Sequence, residues 1–175
     1  MKNESGELVP MSRKNPSTRR AELRQFLKDD VLAMVSKHAA ELAKDKAGGK
    51  VLVEALKCYD MEVSSSIATA LEGDGAGELF DDPTAHLTLK RCFLACKEAK
   101  DGSALPGTFL KASWAKVKEA LGSSRGAFVV SALCEASDEA KTKVKGDKAL
   151  MKLVKEKKGG QKAKGYDTLA KVLKD

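Results

Sequence analysis

DKAGGKVLVEAL, residues 45–56, carries two glycines, Gly48 and Gly49, near its start and continues with apolar side chains at helical spacing. Counted from Gly48, the apolar positions are Val51 and Leu52, then Ala55 and Leu56. That is the i, i+3/i+4, i+7/i+8 stripe of a buried helix that starts at a tight turn. Three more segments align with it without gaps: DPTAHLTLKRCF at 82–93, SSRGAFVVSALC at 123–134 and KAKGYDTLAKVL at 162–173. They are offset by 37, 41 and 39 residues, and each carries a small residue at the turn: Gly48, Ala85, Gly126 and Gly165. The stripe recurs as Thr88-Leu89 and Cys92-Phe93, as Val129-Val130 and Leu133-Cys134, and as Thr168-Leu169 and Val172-Leu173. One such helix is commonplace, but four at a near-constant period of about 40 residues predict a repeat array. Leu52, Leu89, Val130 and Leu169 are therefore expected to be buried at equivalent places.

Outward from these segments the chain reads as at least eight helices, with no convincing strand alternation. Residues 1–14 are polar, with Gly6 and Pro10, and read as disordered. Asn15-Pro16 starts a helix to about Lys28, and Asp29-Asp30 is expected to cap a second, from Val31 to about Lys44. Gly48-Gly49 is read as an interruption before a helix at Lys50–Tyr59, followed by one at Met61–Leu71. Gly73–Gly77 and Lys100–Pro106 read as loops; between them lie a short helix at Glu78–Phe80, broken at Asp82-Pro83, and a longer one at Ala85–Lys97. Further helices are expected at Phe109–Leu121, Gly126–Ala136, Ser137–Glu156 with a break at Gly146, and Tyr166–Lys174.

Composition narrows the function classes. No run of 18 apolar residues is present, so no membrane-spanning helix is expected, and the first six residues lack the apolar stretch of a secretory signal. The chain is accordingly expected inside the cell. Cys58, Cys92, Cys96 and Cys134 lack C-x-x-C spacing, and His38 and His86 are the only histidines, so buried core thiols are favoured over a metal site. No cofactor is expected. Phosphate-loop, H-E-x-x-H and G-x-S-x-G motifs are absent, and His38 beside Glu41 reads as surface, so the chain is not expected to be an enzyme. The net charge of +7 is uneven. Residues 140–175 hold twelve lysines, no arginine and four acids; the rest holds 20 of the 32 basic and 21 of the 25 acidic side chains. A basic C-terminal tail of this kind attracts polyanions without sequence preference.

The order of these segments resembles the C-terminal repeats of Puf-A/Penguin-type Pumilio (PUF) proteins, including the C-terminal Penguin-like (CPL) region. The resemblance rests on SRKNPSTRRAEL at 12–23, AAELAKDKAGGKVLVEAL at 39–56, DDPTAHLTLKRC at 81–92, SWAKVKEALGSSRGAFVVSALCEAS at 113–137 and KGYDTLAKVL at 164–173. It implies an all-α, right-handed α-solenoid of Pumilio/armadillo-like repeats, with four or so degenerate copies over residues 15–175 of a longer protein. It also implies a nuclear and nucleolar location, ribosomal precursor RNA and ribosome-assembly proteins as partners, and roles in large-subunit biogenesis and translation regulation.

A PUF repeat reads one base with three side chains at the start of its inner helix. The resemblance carries those positions to Gly49, Lys50 and Val53; His86, Leu87 and Lys90; Ala127, Phe128 and Ser131; and Tyr166, Asp167 and Ala170. Gly, Val, Ala and Leu supply no base-edge donors or acceptors, so the base-reading code is missing. Phe128 is the one aromatic ring at a stacking position, and apolar packing is the role expected of it. Any RNA, or DNA as a second polyanion, must then be held through phosphates. Lys50, Lys90, Arg91 and Arg125 at the repeat starts, with Arg19, Arg20 and Arg24 as a second set, are the candidate contacts. A protein-interaction scaffold, with RNA touching only upstream repeats, is the other class; the near-neutral charge of residues 1–139 favours it.

Overall fold

The computed structural model describes residues 15–72, 76–98, 103–112, 114–160 and 163–174. The chain is all-α, and among the described residues every regular element is a helix. In order these are α1 (Pro16–Lys44), α2 (Lys46–Cys58), α3 (Asp60–Glu72), α4 (Ala76–Asp81), α5 (Ala85–Glu98) and α6 (Ala104–Ala112). They continue with α7 (Trp114–Ala120), α8 (Ser124–Ala136), α9 (Asp138–Gly146), α10 (Lys148–Lys157) and α11 (Lys164–Val172). The segment 1–14, read as disordered, lies outside the described residues, as do residues 73–75 of the glycine-rich stretch.

The four aligned segments become α2, α5, α8 and α11, and these helices pack consecutively, each against the next, as a ladder. Their shared position four residues after the small residue is buried in every rung, at Leu52, Leu89, Val130 and Leu169. The remaining helices pack around the ladder: α1 and α3 against α2, α6 against α3 and α5, α4 and α7 against α8, and α9 and α10 toward the last two rungs. Phe109 on α6 ties two of these layers together, with Phe93 and Phe80 edge-on at 5.6 and 6.4 Å between ring centres.

The small turn residues have a packing reason. A Cβ on Gly126 would collide with the carbonyl oxygen of Ala120, six residues earlier at the end of α7. One on Gly48 would come within 2.9 Å of the Leu42 carbonyl, again six residues earlier. Each helix thus folds back so tightly on its predecessor that the backbones touch. A side-chain cap starts the rung: Asp45 accepts from the Ala47 and Gly48 amides, Asp82 from Thr84 and Ala85, and Ser123 from Gly126. The last rung differs. Ala163 offers α11 no side-chain cap; the Gly165 amide instead donates to Ser124 Oγ of the preceding rung at 3.1 Å.

Several expected boundaries move. Asp29-Asp30 does not break the first segment: α1 runs on for 29 residues, with a departure from helical geometry only at His38 (φ −126°, ψ 20°). No glycine or proline lies between Pro16 and Lys44, and two aspartates facing solvent do not end a helix by themselves. Gly48-Gly49 sits inside the first turn of α2, because the Asp45 cap fixes the start upstream of both. Ala76 and Gly77 belong to α4, and Pro106 lies inside the first turn of α6, where its missing amide costs no hydrogen bond. The lysine-rich end is helical across α9, α10 and α11, divided by Asp147, whose carboxylate caps α10. It is a folded part of the ladder rather than a tail.

Candidate nucleic-acid interface

On α5 the side chains of Leu89, Cys92, Phe93 and Cys96 are buried, which leaves the adjacent Lys90 half-buried and Arg91 exposed on the outer surface of the rung. Lys90 leans toward α8 and holds its ammonium 5.4 Å from the centre of the Phe128 ring. Phe128 is the one residue between Gly126 and Cys134 that α8 does not bury. A half-exposed aromatic ring with a cation over it therefore marks the step between these two rungs.

Phe128 also lines a groove of about 860 Å³ between α8 and α11, with Arg125, Lys157, Lys164, Ser123 and Tyr166 among its other walls. Arg125 stands in the first turn of α8 and reaches back to the end of α4. There its guanidinium donates to the Asp81 carbonyl at 2.8 Å and lies 3.5 Å from the Asp81 carboxylate. Lys157 closes α10; its ammonium donates to the Gly122 carbonyl at 2.9 Å and to the Tyr166 hydroxyl at 3.3 Å, and lies over the Tyr166 ring. Tyr166 in turn donates to the Leu121 carbonyl at 2.9 Å, so a buried hydroxyl ties α11 to the turn before α8. Gly159, at φ +83°, makes the left-handed turn that returns the chain from α10 toward α11.

The charge balance of the groove is positive. Of its two acidic walls among the described residues, Asp81 is engaged by Arg125 and Glu156 lies 3.8 Å from Lys152. Among the described residues no acidic side chain pairs with Lys90, Lys157 or Lys164. Cations held beside an aromatic ring and free of acidic partners have the chemistry that phosphate contact requires.

The sequence-derived candidates divide into two groups. Lys90 lies over the Phe128 ring and Arg125 lines the same groove as that ring, with exposed Arg91 next to Lys90 on α5. Arg20 and Lys50 sit at the opposite end of the ladder, with Arg24, around a separate groove between α1 and α2; Arg19 is exposed on the same helix. Lys157 and Lys164 are not distinguished by sequence. Within a run of twelve lysines nothing marks these two, and only the packing of α10 and α11 beside α8 brings them to the groove.

Of the twelve base-reading positions five are closed, while Lys50 and Leu87 are exposed and Val53, Lys90, Phe128, Asp167 and Ala170 are half-buried. Gly49, His86, Ala127 and Tyr166 are all buried, and so is Ser131. The His86 ring nitrogen Nδ1 lies 2.7 Å from the Asp82 carbonyl of its own turn. Three of the cysteines are buried and none is disulfide-bonded. Desolvation pushes the Cys92 and Cys134 thiols up to about 12 and raises Cys96 as well. Among the described residues no group of His, Cys, Asp and Glu side chains is arranged to hold a metal. No described helix is long and apolar enough to cross a membrane. His38 Nδ1 lies 2.6 Å from Glu41 Oε2 at the kink of α1, partly exposed and outside either groove.

No curated protein and no solved structure matches the chain. A family model does, over residues 4–99, a span that includes α1 to α5 and the candidates Arg19, Arg20, Lys50, Lys90 and Arg91. Since that match covers more than half of an all-α chain, the chain belongs to the CPL (NUC119) domain family, the family associated with Puf-A/Penguin-type proteins.

Proposed function

We propose that the chain is a sequence-nonspecific RNA- and DNA-binding domain, not an enzyme, built as a right-handed solenoid of four degenerate Pumilio-like repeats over residues 15–175. The observation that carries this reading is the α8/α11 groove, which Arg125, Lys157 and Lys164 line together with Phe128, whose ring lies under Lys90. Membership of the CPL family supports it. Affinity comes from phosphate contacts at this groove and at Arg91. Arg19, Arg20 and Lys50 add a general attraction at the other end of the ladder. Gly49, His86, Ala127, Ser131 and Tyr166 are buried, and Val53, Leu87 and Ala170 carry no side-chain donor or acceptor, so no ordered set of base-edge readers is left and binding follows charge and shape. Ribosomal precursor RNA, ribosome-assembly partners, a nucleolar location and a part in large-subunit biogenesis and translation regulation are what this reading implies for the cell.

The test is a salt titration of binding to unrelated RNAs and DNAs of equal length and structure. Affinities should agree within about tenfold, or about 1.4 kcal/mol, roughly the cost of one mismatched pair for a specific reader. Replacing Lys90, Arg125 and Lys164 together by alanine should weaken every ligand alike and flatten the salt dependence by about one unit for each phosphate no longer neutralised. A hundredfold preference for one sequence (about 2.7 kcal/mol) contradicts the reading. No binding even at low salt replaces it with a protein scaffold.

A further inference from the structure

The first half of α1 is a helix without a core. In α1 only Val35, Ala39 and Ala43 are buried, all in its C-terminal half. The N-terminal half is pinned at two polar points instead: Tyr59 donates its hydroxyl to the Arg24 carbonyl at 2.6 Å, and Lys28 pairs with Glu62 at 3.0 Å. Beside them Leu23, Phe26 and Leu27 remain 48, 81 and 43% exposed, at the i, i+3, i+4 spacing of one helical face. Leu23 and Leu27 join Val31 and, from α2, Val51 to line a groove of about 450 Å³. Its rim is cationic: Arg20, Arg24 and Lys50 stand around it, while its one acidic wall among the described residues, Glu54, is taken by Lys57 at 2.8 Å.

We propose that this groove docks an amphipathic α-helix of a partner protein, aliphatic along its contact face and acidic on its flanks. Three properties of the groove select that occupant. Its walls are two helices whose backbone groups are already bonded, so an extended peptide would bring unpaired amides and carbonyls into an apolar slot, whereas a helix satisfies its own. Its floor is mainly aliphatic, suited to leucine-like ridges rather than to stacked bases. Its rim is positive with no acidic partner for Arg20, Arg24 or Lys50 among the described residues, so carboxylates on the incoming flanks complement it. A second copy docking through the same face would bring these cations against their own equivalents, which disfavours a symmetric dimer. The inference is independent of nucleic-acid binding at the α8/α11 groove.

Fluorescence anisotropy with the full chain tests it. The probe is a labelled synthetic helix carrying leucines at i, i+3, i+4 and i+7 and glutamates on both flanks, compared with the same helix carrying lysines. The acidic helix should bind at least about tenfold more tightly than the basic one. Leu23→Ser with Leu27→Ser should weaken it by about tenfold or more, with the helical circular dichroism of the chain unchanged, since both side chains are already partly exposed. Arg20→Glu with Lys50→Glu should reverse the preference toward the basic helix, an outcome that misfolding does not produce. Equal binding of the two helices, or indifference to the leucine substitutions, overturns the proposal. So does a dimer in sedimentation that Leu27→Ser dissolves, or an RNA whose binding the leucine substitutions abolish.

Discussion

Helix α8 and the first half of α1 start from similar local instructions and end in different environments. Both open on a capped first turn, from Ser123 in one and from Asn15 with Pro16 in the other, and both carry apolar residues at helical spacing. Yet α8 buries every residue from Gly126 to Cys134 except Phe128, while the first half of α1 buries none. The difference is neighbours. α8 lies between α5 and α11, with α4, α7 and α9 around it, whereas the N-terminal half of α1 is held at Tyr59 and Glu62. Capping and propensity decide where a helix forms; the array decides which face becomes core.

That contrast can be sharpened by substitution. The largest effect is expected inside the ladder: Leu89→Ala should cost about 2–5 kcal/mol in urea unfolding, as for other fully buried leucines. A loss below roughly 0.5 kcal/mol would mean that Leu89 is not held between rungs. Gly126→Ala comes next. Its methyl group has only backbone to push against, the Ala120 carbonyl, so the fold-back between α7 and α8 must open at about 1–3 kcal/mol.

Smaller still is the cap of α5, where Asp82→Ala should cost about 1 kcal/mol at neutral pH. Hydrogen bonds from the Ala85 and Thr84 amides hold the Asp82 carboxyl below its ordinary value, with the Lys44 charge adding to them. A depressed native pKa gives stability that is present above the unfolded value and lost as pH falls through the native one. The variant and the parent chain should therefore converge in acid; a gap that widens there would contradict the cap. At the other end of the comparison, Phe26→Ser should change stability by less than about 0.5 kcal/mol, because its ring has no core to leave. A larger loss would show that α1 is covered along its whole length.

The ladder is legible in the sequence because its signal is periodic and local. Gly48, Gly126 and Gly165 mark places where backbones touch, and Leu52, Leu89, Val130 and Leu169 fall at one depth. Boundaries are less legible, since a cap such as Asp45 outweighs the two glycines that follow it. Lys90 and Arg125 can be named from their place at the start of a rung. The placing of Lys90 over Phe128, the engagement of Arg125 by Asp81, and the arrival of Lys157 and Lys164 in the groove are tertiary facts. So is the separation of Arg20 and Lys50 into another groove, which charge alone does not distinguish.

The four thiols turn the same architecture into a clock. Cys92, Cys96 and Cys134 are sealed in the ladder, whereas Cys58 is half-exposed and lines the α1/α2 groove. A thiol reagent added to the folded chain meets Cys58 first and reaches the others only when rungs part, because a buried thiol is neither ionised nor accessible. Rapid labelling of one cysteine therefore installs a reporter beside the proposed docking groove. The slow labelling of the other three times the opening of the array, step by step if its rungs separate in turn and all at once if they part together.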